Sequence, residues 1–394
     1  MLSVAEVLER LMAAAEPVTE EESVAVMLAS NRVLAKDIVA PLSVPPADNS
    51  AMDGYAYRLG DAASRDFILP VSQRVAAGQV PQPLATGSAA RIFTGAEIPA
   101  GADTVAIQED CQVGNDGVTL PRDARAGDNI RAKGQDVRQG ERVLIAGTRL
   151  RAQETGLLAS LGISHVPVRR TLRVGVLTSG DELVEPGQAL GPGQIYNSNH
   201  ATLAGLLAAW GMNLVDLGRV PDRPEAIADR LREGTNRADI VVTTGGVSVG
   251  EEDHIKAVVE TMGHIALWKV AIKPGKPLAF GKVLDKPFIG LPGNPSSVFV
   301  TALILLRPLL FRLQGCLPTS PPTILAPALF DRKAGRREEY LRARLTAEGI
   351  EIHPNQSSGV LSSACWGDGL AVQPAGQAVT RGDRLDFLYY SALY

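Results

Sequence analysis

Apolar residues recur at helical spacing near the N-terminus of the chain. Leu8, Leu11 and Met12 fall on one face, as do Val24, Met27 and Leu28. Ser3-x-x-Glu6 and Thr19-x-x-Glu22 precede these runs as capping-box patterns, so both segments are predicted helices. Pro41 to Pro46 breaks the pattern. From about Asp48 to Arg131 the texture is short β-like runs, such as Ala90–Thr94 and Thr104–Gln108, separated by turns. Helical texture returns between Ala152 and Ser160. A β unit bracketed by helices predicts an insertion: residues 46–132 form a small β domain inside a helical linker domain made of 1–45 and 133–171.

From Leu172 strands and helices alternate. Arg173–Thr178, Asn213–Leu217, Ile240–Thr244 and Phe288–Leu291 read as strands, with Trp268–Ile272 and Pro277–Phe280 as a further pair. Ala201–Trp210, Pro224–Arg232 and His254–Met262 read as helices, and a long apolar helix ends near Leu313. This alternation predicts a doubly wound, mostly parallel α/β domain over 172–318, with ligands bound beyond the carboxyl ends of its strands. Pro318 to Pro322 reads as a linker, and 319–394 as a small β-barrel or sandwich. The fold class is therefore multidomain, α/β and β.

The 394 residues carry a net charge of −4, which gives no electrostatic reason to expect nucleic acid. No secretory signal is visible, because Glu6 and Glu9 interrupt the first residues. The longest apolar run, Val298–Leu306, falls short of the ~20 residues needed to span a bilayer. Cys111, Cys316 and Cys365 are odd in number and far apart, which suits a reducing cytoplasm. The histidines are scattered, so a bound metal would take oxygen ligands and be a hard cation.

Candidate chemistry concentrates between Thr243 and Pro295. A hydrophobic run from Asp239 enters the glycine turn Gly245-Gly246, and Glu251, Glu252 and Asp253 follow, the layout of a strand, a phosphate loop and a helix N-terminus. Lys273 and Lys276 flank a Pro-Gly pair, and Pro292-Gly-Asn-Pro295 forms a rigid turn. Glycines let backbone approach an anion and lysines supply compact positive charge, so the expected ligand is a phosphorylated or otherwise anionic small molecule. It is not a Walker A loop, because no Gly-Lys-Ser/Thr follows.

Ser50-Ala-Met-Asp-Gly-Tyr-Ala56 resembles the SAMDGYA signature of molybdopterin molybdenumtransferases, the bacterial MoeA and gephyrin C-terminal family. Phe93–Thr104, Arg131–Asp136, Thr178–Leu183, Thr243–Gly250, Lys273–Pro277, Pro292–Pro295 and Gln356–Gly359 resemble further motifs of that family in the same order, over nearly the whole chain. The resemblance implies a doubly wound molybdopterin-binding domain, a C-terminal β-barrel and an elongated homodimer with a composite cleft. It implies insertion of molybdate into adenylylated molybdopterin with release of AMP, giving molybdenum cofactor, assisted by Mg²⁺. A molybdopterin adenylyltransferase would hand over the substrate. Adenylyl transfer itself, a gephyrin-like scaffold, and tungstate in place of molybdate are competing readings.

The same resemblance assigns residues. Asp53, Thr94, Asp136, Glu182 and Asp222 are catalytic candidates. Taken alone, Asp53 reads as a turn aspartate, Thr94 as a strand end, Asp136 as a loop cap and Asp222 as an N-cap ahead of Pro224. Asp253 and Glu182 are the metal candidates, while Glu251 and Glu252 read as solvated first-turn charges. Gly245, Gly246, Ser248, Lys273, Lys276, Pro292, Asn294, Pro295, Arg342 and Ser358 are substrate-binding candidates. Near the C-terminus, Cys365-Trp-Gly-Asp-Gly369 departs from the family's usual Ala-Asn-Gly run.

Overall fold

The computed structural model describes residues 1–246 and 254–394, with Trp268 described for its backbone alone. One mixed sheet carries the α/β region. Its strands are β1 (Arg173–Ser179), β2 (Asn213–Val220), β3 (Ile240–Thr244), β4 (Gly263–Trp268), β5 (Ala279–Val283) and β6 (Lys286–Leu291), in the order β2-β1-β3-β6-β5-β4. The first four in that order run parallel, and β5 and β4 add an antiparallel edge. Helices α1 (Ser198–Ala209), α2 (Pro224–Arg237), α3 (His254–Met262) and α4 (Pro295–Thr301) follow β1, β2, β3 and β6. The chain leaves β1 toward β2 and returns on its other side to β3. The carboxyl ends of β1 and β3 are therefore a topological switch point, where ligands bind.

The strand sequences are almost wholly apolar because both faces are covered. Val174, Val176, Ile240 and Val242 pack on one side with Leu203, Leu207 and Val298 of α1 and α4. Leu177 and Val241 pack on the other with Ile227, Leu231, Ile255 and Val259 of α2 and α3. Each such side chain, fully buried, contributes about 1.5–3 kcal/mol relative to exposure.

α4 continues through the π-helical turn Ala302–Leu306 into Arg307–Leu313. Pro308 lacks the N–H that an unbroken α-helix would aim at the Ile304 carbonyl, and its ring crowds that carbonyl. The wider turn accommodates both, with the Arg307 N–H donating to the Ala302 carbonyl. By length and composition Pro295–Leu313 could cross a membrane, yet 83% of it is buried inside the fold, as a core helix is.

Two local expectations are corrected. The Ser3 capping box forms, with the Ser3 N–H donating to the Glu6 carboxylate at 2.7 Å, and Val4–Ala14 is a helix whose Val4, Val7 and Leu11 enter the α/β core. The Thr19 box does not. Glu21–Ala25 is instead a strand paired antiparallel with His165–Arg169, and Met27 and Leu28 are 89% and 75% exposed. Val24 sits opposite Val166, so a distant partner strand overrides a local helical signal. The second correction concerns the strand pair after α3. It is β4 with β5, whereas Ile272–Lys273 leaves that sheet and runs parallel to the start of Glu338–Leu345.

Between these regions, Val71–Val75, Ala89–Ile92, Gly54–Tyr57 and Thr104–Ile107 form a four-stranded sheet in that order. Ala152–Ser160 is helical. The last sheet runs Ile272–Lys273, Glu338–Leu345, Gly369–Gln373, Arg384–Tyr389, Ile324–Pro327, with Ile350–Ile352 on Glu338–Leu345. A bridge from Ala328 to Ile350 links its far edge back to that extra strand. Tyr340, Leu370, Leu388 and Tyr390 from this region complete the main core.

Candidate functional site

The carboxyl ends of β1, β3 and β6 open into a cleft of about 630 Å³. Its floor is turn backbone held in conformations that few residues adopt. Gly245 and Gly246, after β3, have φ of 82° and 62°. A Cβ on Gly245 would stand 2.6 Å from the Ser179 carbonyl oxygen, and one on Gly246 would stand 2.8 Å from the Ile255 side chain. Glycine is required at both by conformation and by space. A Cβ on Gly293, after β6, would lie 3.7 Å from the Gly245 Cα, so the two turns abut.

Two helices begin at this cleft, α1 at Ser198 and α4 at Pro295, and their positive dipole ends favour an anion there, although at α4 Pro295 has no N–H and the Ser296 N–H is already bonded. Asn294 precedes α4 without capping it. Its Nδ2 donates instead to the Ser358 hydroxyl at 3.0 Å, and the Ser296 N–H donates to the Ser358 carbonyl at 3.0 Å. These bonds bring Ser358, from the C-terminal region, to the edge of the cleft. Arg342 stands behind it. Its side chain is 1% exposed, with Nε donating to the Ser363 hydroxyl at 3.0 Å and a terminal nitrogen to the Ser357 carbonyl at 3.1 Å. Burial lowers its pKa. Arg342 thus braces the Ser357–Ser358 turn and does not line the cleft.

Glu182 and Asp222 line the cleft together with Pro292, Asn294 and Pro295. The Asp222 carboxylate accepts from the Ser179 hydroxyl, and its N–H donates to Asp181 at 3.3 Å. The N-cap alternative for Asp222 is not realised, because Arg223 occupies that position at α2. Lys273 donates to the buried carboxylate of Glu339 at 2.9 Å, outside the lining. Lys276 is exposed beside Pro277, which does line the cleft. Ser248, Glu251, Glu252 and Asp253 lie outside the described residues. Among those described, no group of three or more His, Cys, Asp or Glu could hold a metal. Glu182 and Asp222 are the two carboxylates among the described lining residues.

Asp53 and Thr94 meet in the inserted β region. The Thr94 N–H and hydroxyl both donate to one Asp53 oxygen at 2.7 Å. The backbone bond, then the hydroxyl, hold the Asp53 carboxyl below its usual range. Asp136 is exposed, and its N–H donates to the Val44 carbonyl at 3.0 Å. None of these three lines the cleft of its own chain.

The structure adds Asn197 and Asn199 to the site. Asn197 caps α1, accepting from the His200 N–H at 3.3 Å and donating to the Thr178 hydroxyl at 2.9 Å. Asn199 donates to the Gly293 carbonyl at 2.7 Å, while its side-chain oxygen is buried without a partner. The signal was present: Asn-Ser-Asn just ahead of an apolar helical run is an N-cap pattern.

Family models match for the MoeA N-terminal region (domain I and II) over residues 2–162, a probable molybdopterin binding domain over 175–312, and the MoeA C-terminal region (domain IV) over 326–390. The chain is 43% identical over 298 residues to the molybdopterin molybdenumtransferase of Haemophilus influenzae, covering 75% of this chain and 74% of that one. It is 35% identical over 375 residues to the molybdopterin molybdenumtransferase of Nostoc sp., covering 91% and 86%. The crystal structure of the molybdopterin biosynthesis MoeA protein from Pyrococcus horikoshii superposes with a TM-score of 0.85 at 30% identity, covering 99% of this chain and 100% of that one.

Proposed function

This chain belongs to the MoeA family, and we propose that it is a molybdopterin molybdenumtransferase, inserting molybdate into adenylylated molybdopterin and releasing AMP. The observation that carries this reading is the cleft at the switch point, where a positive-φ glycine turn and two helix N-termini converge. Molybdate is a dianion and the substrate pyrophosphate is also negative. Joining them requires N–H donors already oriented when the charge arrives. Gly245, Gly246, Ser297 and the first turn of α1 are placed to supply those donors, and Ser358 and Asn294 form the rim. Ser179 orients the Asp222 carboxylate.

Glu182 and Asp222 would repel both anions unless a cation intervenes. They suit Mg²⁺, which takes one or two carboxylates together with phosphate oxygens and water. When bound, Mg²⁺ screens the phosphates and acts as a Lewis acid on the anhydride. Asp253 is proposed as a further ligand. Lys273 and Lys276 are proposed to neutralise incoming anion from the side of Pro277.

Asp53, Thr94 and Asp136 reach a cleft only if a second copy of the chain presents its inserted β region. We therefore propose a homodimer with a composite site, fed by a molybdopterin adenylyltransferase in the cytoplasm. All three cysteines are free, which supports a reducing compartment. The pairing of Glu21–Ala25 with His165–Arg169 supports joining 1–45 and 133–171 around the insertion 46–132. The Ala328–Ile350 bridge supports a barrel over 319–394, after the α/β domain 172–318.

The test is AMP release from adenylylated molybdopterin, with molybdenum incorporation followed in parallel. Release that requires molybdate and Mg²⁺, with no ATP added, is expected. Tight binding without release would refute the transferase reading.

A further inference from the structure

Beside the long core helix lie two positive charges with no negative partner among the described residues. Arg307 is 8% exposed and Arg149 is half-buried, and the Nε of each is buried without a hydrogen-bond acceptor. Each guanidinium has one backbone acceptor: Ala209 for Arg149 at 3.3 Å, and Ala392 for Arg307 at 3.5 Å. Among the described residues neither forms an ion pair. Both lie against the Phe311 ring, at 5.0 and 4.5 Å from its centre. Burial first, then the charge of Arg149, pull the Arg307 pKa down to about 10. Charges that are buried are ordinarily paired, because desolvation is costly.

The same arginine lines a cavity of about 600 Å³ between the N-terminal helix and the end of the core helix. Arg312 lines it as well, and its walls include Leu8, Met12, Phe311 and Leu317. No aspartate or glutamate is among its lining residues. Arg307 directly follows the π-helical turn Ala302–Leu306, and such turns recur at functional sites. The cavity thus combines two arginines with apolar walls, and among its described lining residues there is no counter-charge.

We propose that this cavity is a second anion site, separate from the cleft. It takes a small organic anion whose oxyanion head pairs with Arg307 and whose apolar body lies along Phe311, Leu8 and Met12. Arg149 adds its charge beside Phe311, and Arg312 adds a second arginine to the lining. A planar or tetrahedral oxyanion satisfies the Arg307 fork. The apolar walls favour a ligand with a hydrocarbon or aromatic body over a bare inorganic ion.

The probes are phenyl phosphate and inorganic phosphate, titrated calorimetrically into the wild-type protein and into R307M, which keeps volume and loses charge. Phenyl phosphate is expected to bind the wild-type protein more tightly than inorganic phosphate, and R307M more weakly by roughly tenfold or more. R307M should retain AMP release, since Arg307 has no part in the cleft. Equal binding by R307M places the probe elsewhere and overturns the proposal, as does absence of binding to the wild-type protein. If R307M does not fold, R312Q, at the second arginine of the lining, is the second variant. It should bind phenyl phosphate more weakly than the wild-type protein, and unchanged binding overturns the site.

Discussion

Replacing Gly245 with alanine should damage the cleft through one methyl group. The residue sits at φ 82°, and the new Cβ would stand 2.6 Å from the Ser179 carbonyl oxygen. Relief to a tight but real 3.0–3.4 Å requires the β1 and β3 turns to part by roughly 0.4–0.8 Å. The left-handed backbone alone costs an alanine about 1–2 kcal/mol, and forced displacement in a packed turn adds about 1–3 kcal/mol. The functional loss follows from what moves. Ser179 holds the Asp222 carboxylate, so the shift is passed directly to the wall of the site. A misplacement near 1 Å costs on the order of a hundredfold in rate, so G245A should lower kcat by about ten- to a hundredfold. Gly193→Ala is the control, because Gly193 has φ 76° with open space around its Cβ position. It should share the backbone penalty and keep its activity. AMP release at saturating molybdate, with thermal melts of both variants, separates the two terms. A G245A enzyme with wild-type kcat would refute the claim that the Gly245–Ser179 approach shapes the site.

Glu339 supplies a pH prediction. Burial alone would raise its pKa, but hydrogen bonds from Lys273 and then Arg332 outweigh burial and leave it lowered. A depressed carboxylate contributes stability that is present above its unfolded pKa and is lost as pH falls through the folded one. E339Q should therefore destabilise by about 1–3 kcal/mol at neutral pH, with the gap to wild type closing as pH drops below the carboxylate range. Urea midpoints across pH would show this, and a constant gap would contradict it. D53N and E182Q should each be inactive alone, while mixed and refolded dimers should recover roughly a quarter of wild-type activity, since half the dimers carry one intact composite site. No recovery would argue against shared cleft residues. Removing divalent cations with excess chelator should abolish AMP release, and added Mg²⁺ should restore it; unchanged release would dismiss the proposed role of Glu182 and Asp222.

Periodicity announced the α/β region because its signals are local. His254–Met262 is helical over the residues its apolar spacing marks, and Pro224 opens α2 as a first-turn proline should. The Glu21–Ala25 strand was hidden because what makes it a strand, His165–Arg169, lies far along the chain. Residues at and around the cleft divide in the same way. Gly245, Pro292 and Asn294 follow strands and were readable from turn chemistry alone. The Asn294–Ser358 bond, the pairing of Lys273 with Glu339 and the burial of Arg342 depend on contacts between the α/β region and the C-terminal sheet, or within that sheet, and no local pattern encodes them.

The strand Ile272–Lys273 has a consequence for how the protein is made. It forms the edge of a sheet whose next strand begins 66 residues later. At roughly 5–20 residues per second, translation delivers that partner about 3–13 s after the edge strand. During this interval the nascent α/β region also lacks Tyr340, Leu370 and Leu388, which seal its apolar surface. A ribosome-bound chain is therefore unfinished on one flank until its last stretch emerges. A stop codon anywhere before Leu388 would leave that flank exposed to chaperones and proteases.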